Sequence, residues 1–136
     1  MSEEIRNSKY IEFILVIISL IILTIITLCR KQNAEQIKND YQVSIGHIVK
    51  YHPTDPSDQG SIKYCYVADD SVLYYRTIYV TYKFENENCH NFEKCKDKQY
   101  WVIYSTSNPK NSLINLNLEI QGIENPEFPQ KLDDFE

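Results

Sequence analysis

Hydrophobic positions along this chain fall into two regimes. Residues 13–29 (FILVIISLIILTIITLC) form one continuous apolar run without charge, Gly or Pro. As a helix it would span about 25 Å, near the lower limit for crossing a bilayer core. Its polar side chains, Ser19, Thr24 and Thr27, can bond back to the helix's own carbonyls. Lys9 and Tyr10 precede the run and Arg30 and Lys31 follow it, which suits the membrane interface. From residue 41 onward apolar and polar residues alternate instead, at strand period.

The alternation predicts five strands. In residues 41–51, Tyr41, Val43, Ile45, His47, Val49 and Tyr51 share one face, and Gly46 marks a bulge or bend. Residues 62–67 place Ile62, Tyr64 and Tyr66 together. Residues 72–84 read as one long strand, with Val72, Tyr74, Ile78, Val80, Tyr82 and Phe84 in phase and a bulge at Arg76. Residues 100–105 and 113–120 complete the set. In the last, Ile114, Leu116, Leu118 and Ile120 point in, while Asn115, Asn117 and Glu119 point out. The segments between, 52–60, 68–71, 85–99 and 106–112, read as loops and turns. The fold class is thus mainly β with one N-terminal transmembrane helix. The sheet is a small antiparallel one, curled or barrel-like, because a flat sheet this small has no second layer to cover its apolar face. The domain order is a polar lead (1–12), the transmembrane helix (13–29), a helical stalk (30–40), the β domain (41–120) and a tail (121–136).

Three features carry a resemblance: a Gly-containing strand (SIGHIV), a tyrosine-rich hairpin (YCYVADDSVLYY), and the stretch WVIYSTSNPKNSLINL. Together they resemble the membrane-anchored domains of unknown function grouped as DUF3592-like. The most distinctive piece is V-x-Y-x-x-x-N-P-x-x-S, here Val102 to Ser112. Ala68, Asp69, Asp70 and Ser71 stand where those domains carry a Gly-containing turn. The resemblance covers residues 41–120 and implies no chemistry and no catalytic residues.

Charge and composition narrow the function. The formal net charge is −5, and most of it sits in the tail, where Glu124, Glu127, Asp133, Asp134 and Glu136 face only Lys131. With Pro126 and Pro129 beside them, the tail is expected to be solvated and mobile. No basic face is left to neutralise phosphates, so nucleic acid is excluded as a partner. The flanks of the apolar run carry similar numbers of Lys and Arg and do not set its orientation. The lead carries Glu3, Glu4 and Glu12, and no small-residue cleavage site follows the run, so a retained anchor is favoured over a signal peptide. A lipidated Cys29 is disfavoured by Leu28 before it.

Candidate chemistry is sparse. Cys89, His90 and Cys95 form the nearest approach to a site. Their spacing does not suit zinc, whose ligands lie two to four residues apart and number four. Cys65 would have to join them from another strand. A Cys89–Cys95 disulfide in an oxidising compartment, or free thiols in a reducing one, fits the same residues. Cys65 is read as a small packed residue. Asp69 and Asp70 are turn acceptors rather than a catalytic pair. His47 is a half-buried imidazole among apolar neighbours, and His52 has no evident partner. Ser105, Thr106 and Ser107 lack a neighbouring base or Gly-rich elbow. No metal and no cofactor is called for. Ten of the eleven tyrosines lie between Tyr41 and Tyr104, and Tyr64, Tyr66, Tyr74, Tyr75 and Tyr79 are the candidate interaction surface.

The expected function is therefore a non-enzymatic binding or structural module on a single-pass membrane anchor. Residues 13–29 meet lipid, the partner is another membrane or envelope protein, and the β domain lies on the extracytoplasmic side. Two alternatives stay open. One is a protein that neutralises a toxin at the membrane. The other is a thiol- or metal-dependent sensor or enzyme using the loop from Cys89 to Cys95.

Overall fold

The computed structural model describes residues 2–56, 58–96 and 98–136. The chain divides into two compact units, Met1–Glu35 and Gln36–Glu136. The first lies within helix α1 (Ser2–Asn39), whose segment Tyr10–Asn39 is long and apolar enough to cross a membrane. The apolar run and the stalk are thus one uninterrupted helix. The hydroxyls of Ser19, Thr24 and Thr27 donate to the carbonyls of Val16, Leu20 and Leu23 at 2.8, 2.8 and 2.9 Å, which satisfies their polar groups within the helix.

Among the described residues the second unit holds five strands: β1 (Tyr41–His52), β2 (Ser61–Val67), β3 (Leu73–Tyr79), β4 (Gln99–Ser105) and β5 (Ser112–Glu119). They form one antiparallel sheet in the order β3-β2-β1-β4-β5. The sheet is open, with β3 and β5 at its edges, rather than closed into a barrel. Its second layer comes from two short helices, α2 (Tyr82–Asn88) and α3 (Phe92–Cys95), in a stretch whose first part reads as strand and whose remainder reads as loop. Val80, Phe84, Cys89 and Cys95 from this segment pack on Ile48, Ile62, Tyr64, Tyr66, Tyr100, Val102 and Ile114 of the sheet.

The expected third strand is cut short at Tyr79. Apolar alternation continues through Val80, Tyr82 and Phe84, but Thr81 starts a helix. Its side chain accepts from the Phe84 amide at 3.3 Å, and so caps α2. No bulge occurs at Arg76; the β2–β3 register is constant from Ser61↔Tyr79 to Val67↔Leu73.

In β1 the buried face is the opposite of the one expected. Gly46 and Ile48 are buried, while Val43, Ile45, His47 and Val49 are exposed. The irregularity lies not at Gly46 but between Ile48 and Lys50, where β1 carries one extra residue, Val49. The extra residue reverses the phase, so Tyr51 returns to the core side and Lys50 and His52 face out. Gly46 serves a close approach instead. A Cβ there would lie 2.5 Å from Cγ2 of Val102.

In β5, Leu116 is buried and Asn117 exposed as expected, but Asn115 is buried and Leu118 exposed. The pairing jumps from Val102↔Ile114 to Tyr100↔Glu119, leaving extra residues on β5. Asn115 Oδ1 accepts from the Asn117 amide at 3.0 Å, a local bond within this irregular stretch.

The segment 121–136 is packed rather than loose in its second half. The Ile114 amide donates to the Glu136 carbonyl at 2.9 Å, and the Glu136 amide donates to the Ile114 carbonyl at 3.1 Å. This pairing covers the β5 edge at Ile114. Phe135 is buried, and the Phe128 ring lies 6.1 Å from Tyr41, 5.4 Å from Trp101 and 5.8 Å from Phe135. The apolar rings outweigh the acids and prolines around them.

Candidate interaction face

The five candidate tyrosines divide into two sets. On the core side, Tyr74, Tyr66 and Tyr104 form a row of stacked rings, with centroids 6.0 and 5.7 Å apart, crossing from β3 to β4. Tyr64 joins the row at 6.0 Å from Tyr66. Each hydroxyl of this set is engaged. Tyr64 meets Ser112 Oγ at 2.9 Å, Tyr66 donates to the Pro109 carbonyl, and Tyr74 donates to Asp70 Oδ2 at 2.7 Å. Tyr104 donates to Gln42 Oε1 at 2.8 Å and accepts from the Asp69 amide at 3.0 Å. Burial pushes the Tyr64 hydroxyl up to about 12 and raises those of Tyr66 and Tyr104, so the whole row is neutral at ordinary pH.

This corrects the candidate surface. Tyr64 and Tyr66 are wholly buried and cannot meet a partner; Tyr74 is half-buried at the end of the stack. The Val102–Ser112 motif is accounted for by the same network. Val102 and Tyr104 are core, Asn108 Oδ1 accepts from the Lys110 amide at 3.3 Å, the Pro109 carbonyl accepts from the Tyr66 hydroxyl, and Ser112 shares a hydrogen bond with the Tyr64 hydroxyl. The motif ties the β4–β5 turn to β2 and carries no free reactive group.

Tyr75 and Tyr79 are different: they are 52% and 60% exposed. Both lie on the outer face of β3 with Leu73 and Thr77. Register aligns that face across three strands. Cys65 stands between His47 and Tyr75, and Val67 pairs with Leu73 beside Ile45. Beyond the β1 bulge, Lys50 pairs with Lys63 and Lys63 with Thr77. One end of the face is therefore apolar, with Ile45, Val67, Val72 and Leu73 all exposed. The other end is basic, a shallow hollow lined by Lys50, His52, Ser61, Lys63 and Thr77. The Lys63 ammonium sits 4.8 Å over the Tyr75 ring and joins the two ends. Periodicity alone missed this face, because its aliphatic residues read as core.

The remaining candidates are structural. Cys89 and Cys95 are bonded to each other with Cα atoms 5.1 Å apart, and both are fully buried in the core. His90 is exposed, and Cys65 stands half-buried on the outer face, away from the core that holds the bonded pair. Burial raises the Cys65 thiol, which keeps it protonated. Among the described residues no three His, Cys, Asp or Glu side chains come together as a metal-holding group. Asp70 Oδ1 accepts from the Val72 amide at 3.0 Å, the turn role expected of it. His47 is exposed rather than half-buried, and His52 lies 3.5 Å from Asp58. Ser105 and Ser107 bond to each other at 3.0 Å, and Thr106 donates to Asp40.

One buried carboxylate escaped the sequence reading. Glu85 of α2 accepts from the Tyr51 hydroxyl at 3.1 Å and the Thr54 amide at 2.9 Å through one oxygen. Burial first, and then this carboxylate, pushes Tyr51 up to about 12. A Cβ at Gly60 would fall 1.9 Å from the same oxygen, so the glycine is what admits it. The cluster pins the 52–60 loop to α2, and its groups are occupied with one another.

No family model, curated protein or solved structure matches this chain.

Proposed function

We propose that this is a single-pass membrane protein whose β domain is a non-enzymatic binding module, with the outer face of β1–β2–β3 as its working surface. The observation that carries the reading is the division of the tyrosines. Tyr64, Tyr66, Tyr74 and Tyr104 on the core side are consumed in packing and hydrogen bonds, while Tyr75 and Tyr79 stand exposed beside Val67 and Leu73. Aromatic side chains supply contact area at low entropic cost. The occupant is another membrane or envelope polypeptide with an acidic surface. Lys50 and Lys63 at one end of the face, in a chain that is otherwise acidic, support that choice. The helix Tyr10–Asn39 supports membrane anchoring, and a disulfide within the core supports an extracytoplasmic domain.

The test is a photo-crosslinking amino acid placed singly at Tyr79 or at Lys110 of the full chain in native membranes. Crosslinks at position 79 to one protein, lost when Tyr75→Ala and Lys63→Glu are added, support the reading. Equal crosslinking at position 110, on the β4–β5 turn, overturns it.

A further inference from the structure

The two edges of the sheet are treated differently. The β5 edge is met by the chain itself at Ile114, whose main chain pairs with that of Glu136. The β3 edge has no such cover. Its free groups follow from the ladder. The Ala68 amide donates to the Val72 carbonyl at 3.2 Å, and the Val80 amide donates to the Gly60 carbonyl at 2.9 Å. These two bonds bracket a β2–β3 register that never shifts. Hydrogen-bonded pairs in an antiparallel ladder recur at every second residue. Tyr74, Arg76 and Ile78 therefore turn their main-chain groups toward β2. Leu73, Tyr75, Thr77 and Tyr79 turn theirs outward, where among the described residues no main-chain bond meets them.

Natural edges are protected by Lys, Pro, inward charges, bulges or a covering segment. β3 (LYYRTIY) has no Pro, no Lys, no acid and no bulge; its one guard is a charge on the core side, Arg76, which an acidic guest residue would neutralise. The side chains above its free amides, Leu73, Tyr75, Thr77 and Tyr79, are also the exposed residues of the outer face. Arg76 lies on the core side at the middle of the strand, half-buried, and among the described residues no carboxylate pairs with it.

We infer that β3 receives an extended segment of another polypeptide as a sixth strand. This rests on the binding-module reading and adds the manner of recognition. The guest alternates. Apolar or β-branched side chains lie on the outer face beside Tyr75 and Tyr79. An acidic side chain stands opposite Arg76, at a position where the main chains make no hydrogen bonds and the side chains approach closely. A second copy of this chain is a poorer occupant. The centred self-pairing, which uses every free amide, sets Arg76 directly against Arg76 of the other copy, and like charges so placed repel.

The experiment uses the full chain in lipid nanodiscs and fluorescent heptapeptides read by anisotropy. One peptide alternates valine and glutamate, a second carries lysine for glutamate, and a third is the first with alternate amides N-methylated. The glutamate peptide binds saturably; the lysine and N-methylated peptides bind at least about tenfold more weakly, the loss of one or two strong contacts. Arg76→Glu reverses the preference between glutamate and lysine. Thr77→Pro, at an outward N–H that an edge strand can forgo, also weakens binding by about tenfold. Equal binding of the N-methylated peptide overturns the edge assignment without needing any variant to fold. Absence of binding by all three peptides overturns it too. A doubled mass by sedimentation, abolished in Thr77→Pro, makes the occupant a second copy and overturns the choice of guest. If the peptides fail while crosslinking at position 79 succeeds, strand addition falls and the binding module stands; if both fail, both fall.

Discussion

Ending the chain after Gln121 should cost the β domain most of its stability, although the segment removed is acidic and rich in turns. Phe135 is 3% exposed, and removing a buried phenylalanine side chain costs about 3–5 kcal/mol. The two main-chain bonds between Ile114 and Glu136 add about 1 kcal/mol each. Phe128 also covers Tyr41 and Trp101. A loss of about 5 kcal/mol is comparable to the whole stability of a small domain. Trp101 is the single tryptophan of the chain, so its emission reads the packing directly. In urea unfolding of the full chain in nanodiscs, Phe135→Ala should move the midpoint down sharply, and the truncated chain should show solvent-exposed emission before denaturant is added. The Ile114 amide should also lose its protection from hydrogen exchange in the truncated chain. An unchanged midpoint, together with unchanged Trp101 emission and Ile114 exchange, would refute the claim that residues 128–136 are part of the fold.

Other consequences follow from the same structure. The Tyr64 hydroxyl is raised from 10.0 to about 12 by burial. The folded state then holds its proton more tightly than the unfolded one, so stability is full below about pH 10 and falls as pH climbs toward 12. Its share of the loss is roughly 2–3 kcal/mol, and Tyr64→Phe should make the slope shallower by that share in an alkaline titration of the urea midpoint, the other raised tyrosines keeping the rest; an equal slope in the variant contradicts the assignment. Replacing Cys89 and Cys95 together by Ala should destabilise by on the order of 2 kcal/mol by the chain-entropy model, and alkylation before mass spectrometry should recover the two as a linked pair; free thiols in native membranes would contradict this. Leu116→Ala should cost about 2–5 kcal/mol and Leu118→Ala about 0.5 kcal/mol or less, a contrast that strict alternation in β5 does not give.

The parts of the fold that were legible are those where the two faces of an element differ in kind. β2 is one: its Tyr and Ile residues alternate with Lys63 and Cys65, and they are buried as read. β1 was misread because both of its faces carry apolar residues, and the single extra residue at Val49 leaves no mark in composition. The end of β3 was hidden because Val80, Tyr82 and Phe84 keep strand period through a helix start. Thr81 as an N-cap, with Glu85 in the first turn, was the available signal. The acids and prolines of the tail point to a solvated segment, but Phe128, Leu132 and Phe135 recur in it at a density that a solvated segment does not need. The candidate surface was half legible. Tyr75 and Tyr79 lie on the face opposite to Tyr74, yet sequence alone could not separate tyrosines spent in the stack from those left outside it.

If a partner covers the outer face of β1–β2–β3 in the membrane, as proposed, a ratio of labelling rates shows it. With Cys29 and Cys65 replaced by Ser and the Cys89–Cys95 pair kept, one free cysteine is placed at Thr77 or at Lys110, both exposed positions of the same domain. Each is labelled with a charged maleimide in native membranes and after detergent solubilisation. Because the two positions share a domain, their ratio does not depend on which side of the membrane the domain occupies. Position 77 should be shielded relative to 110 in native membranes and become equally reactive once the purified chain is alone. Equal reactivity of the two positions in native membranes would contradict the proposal.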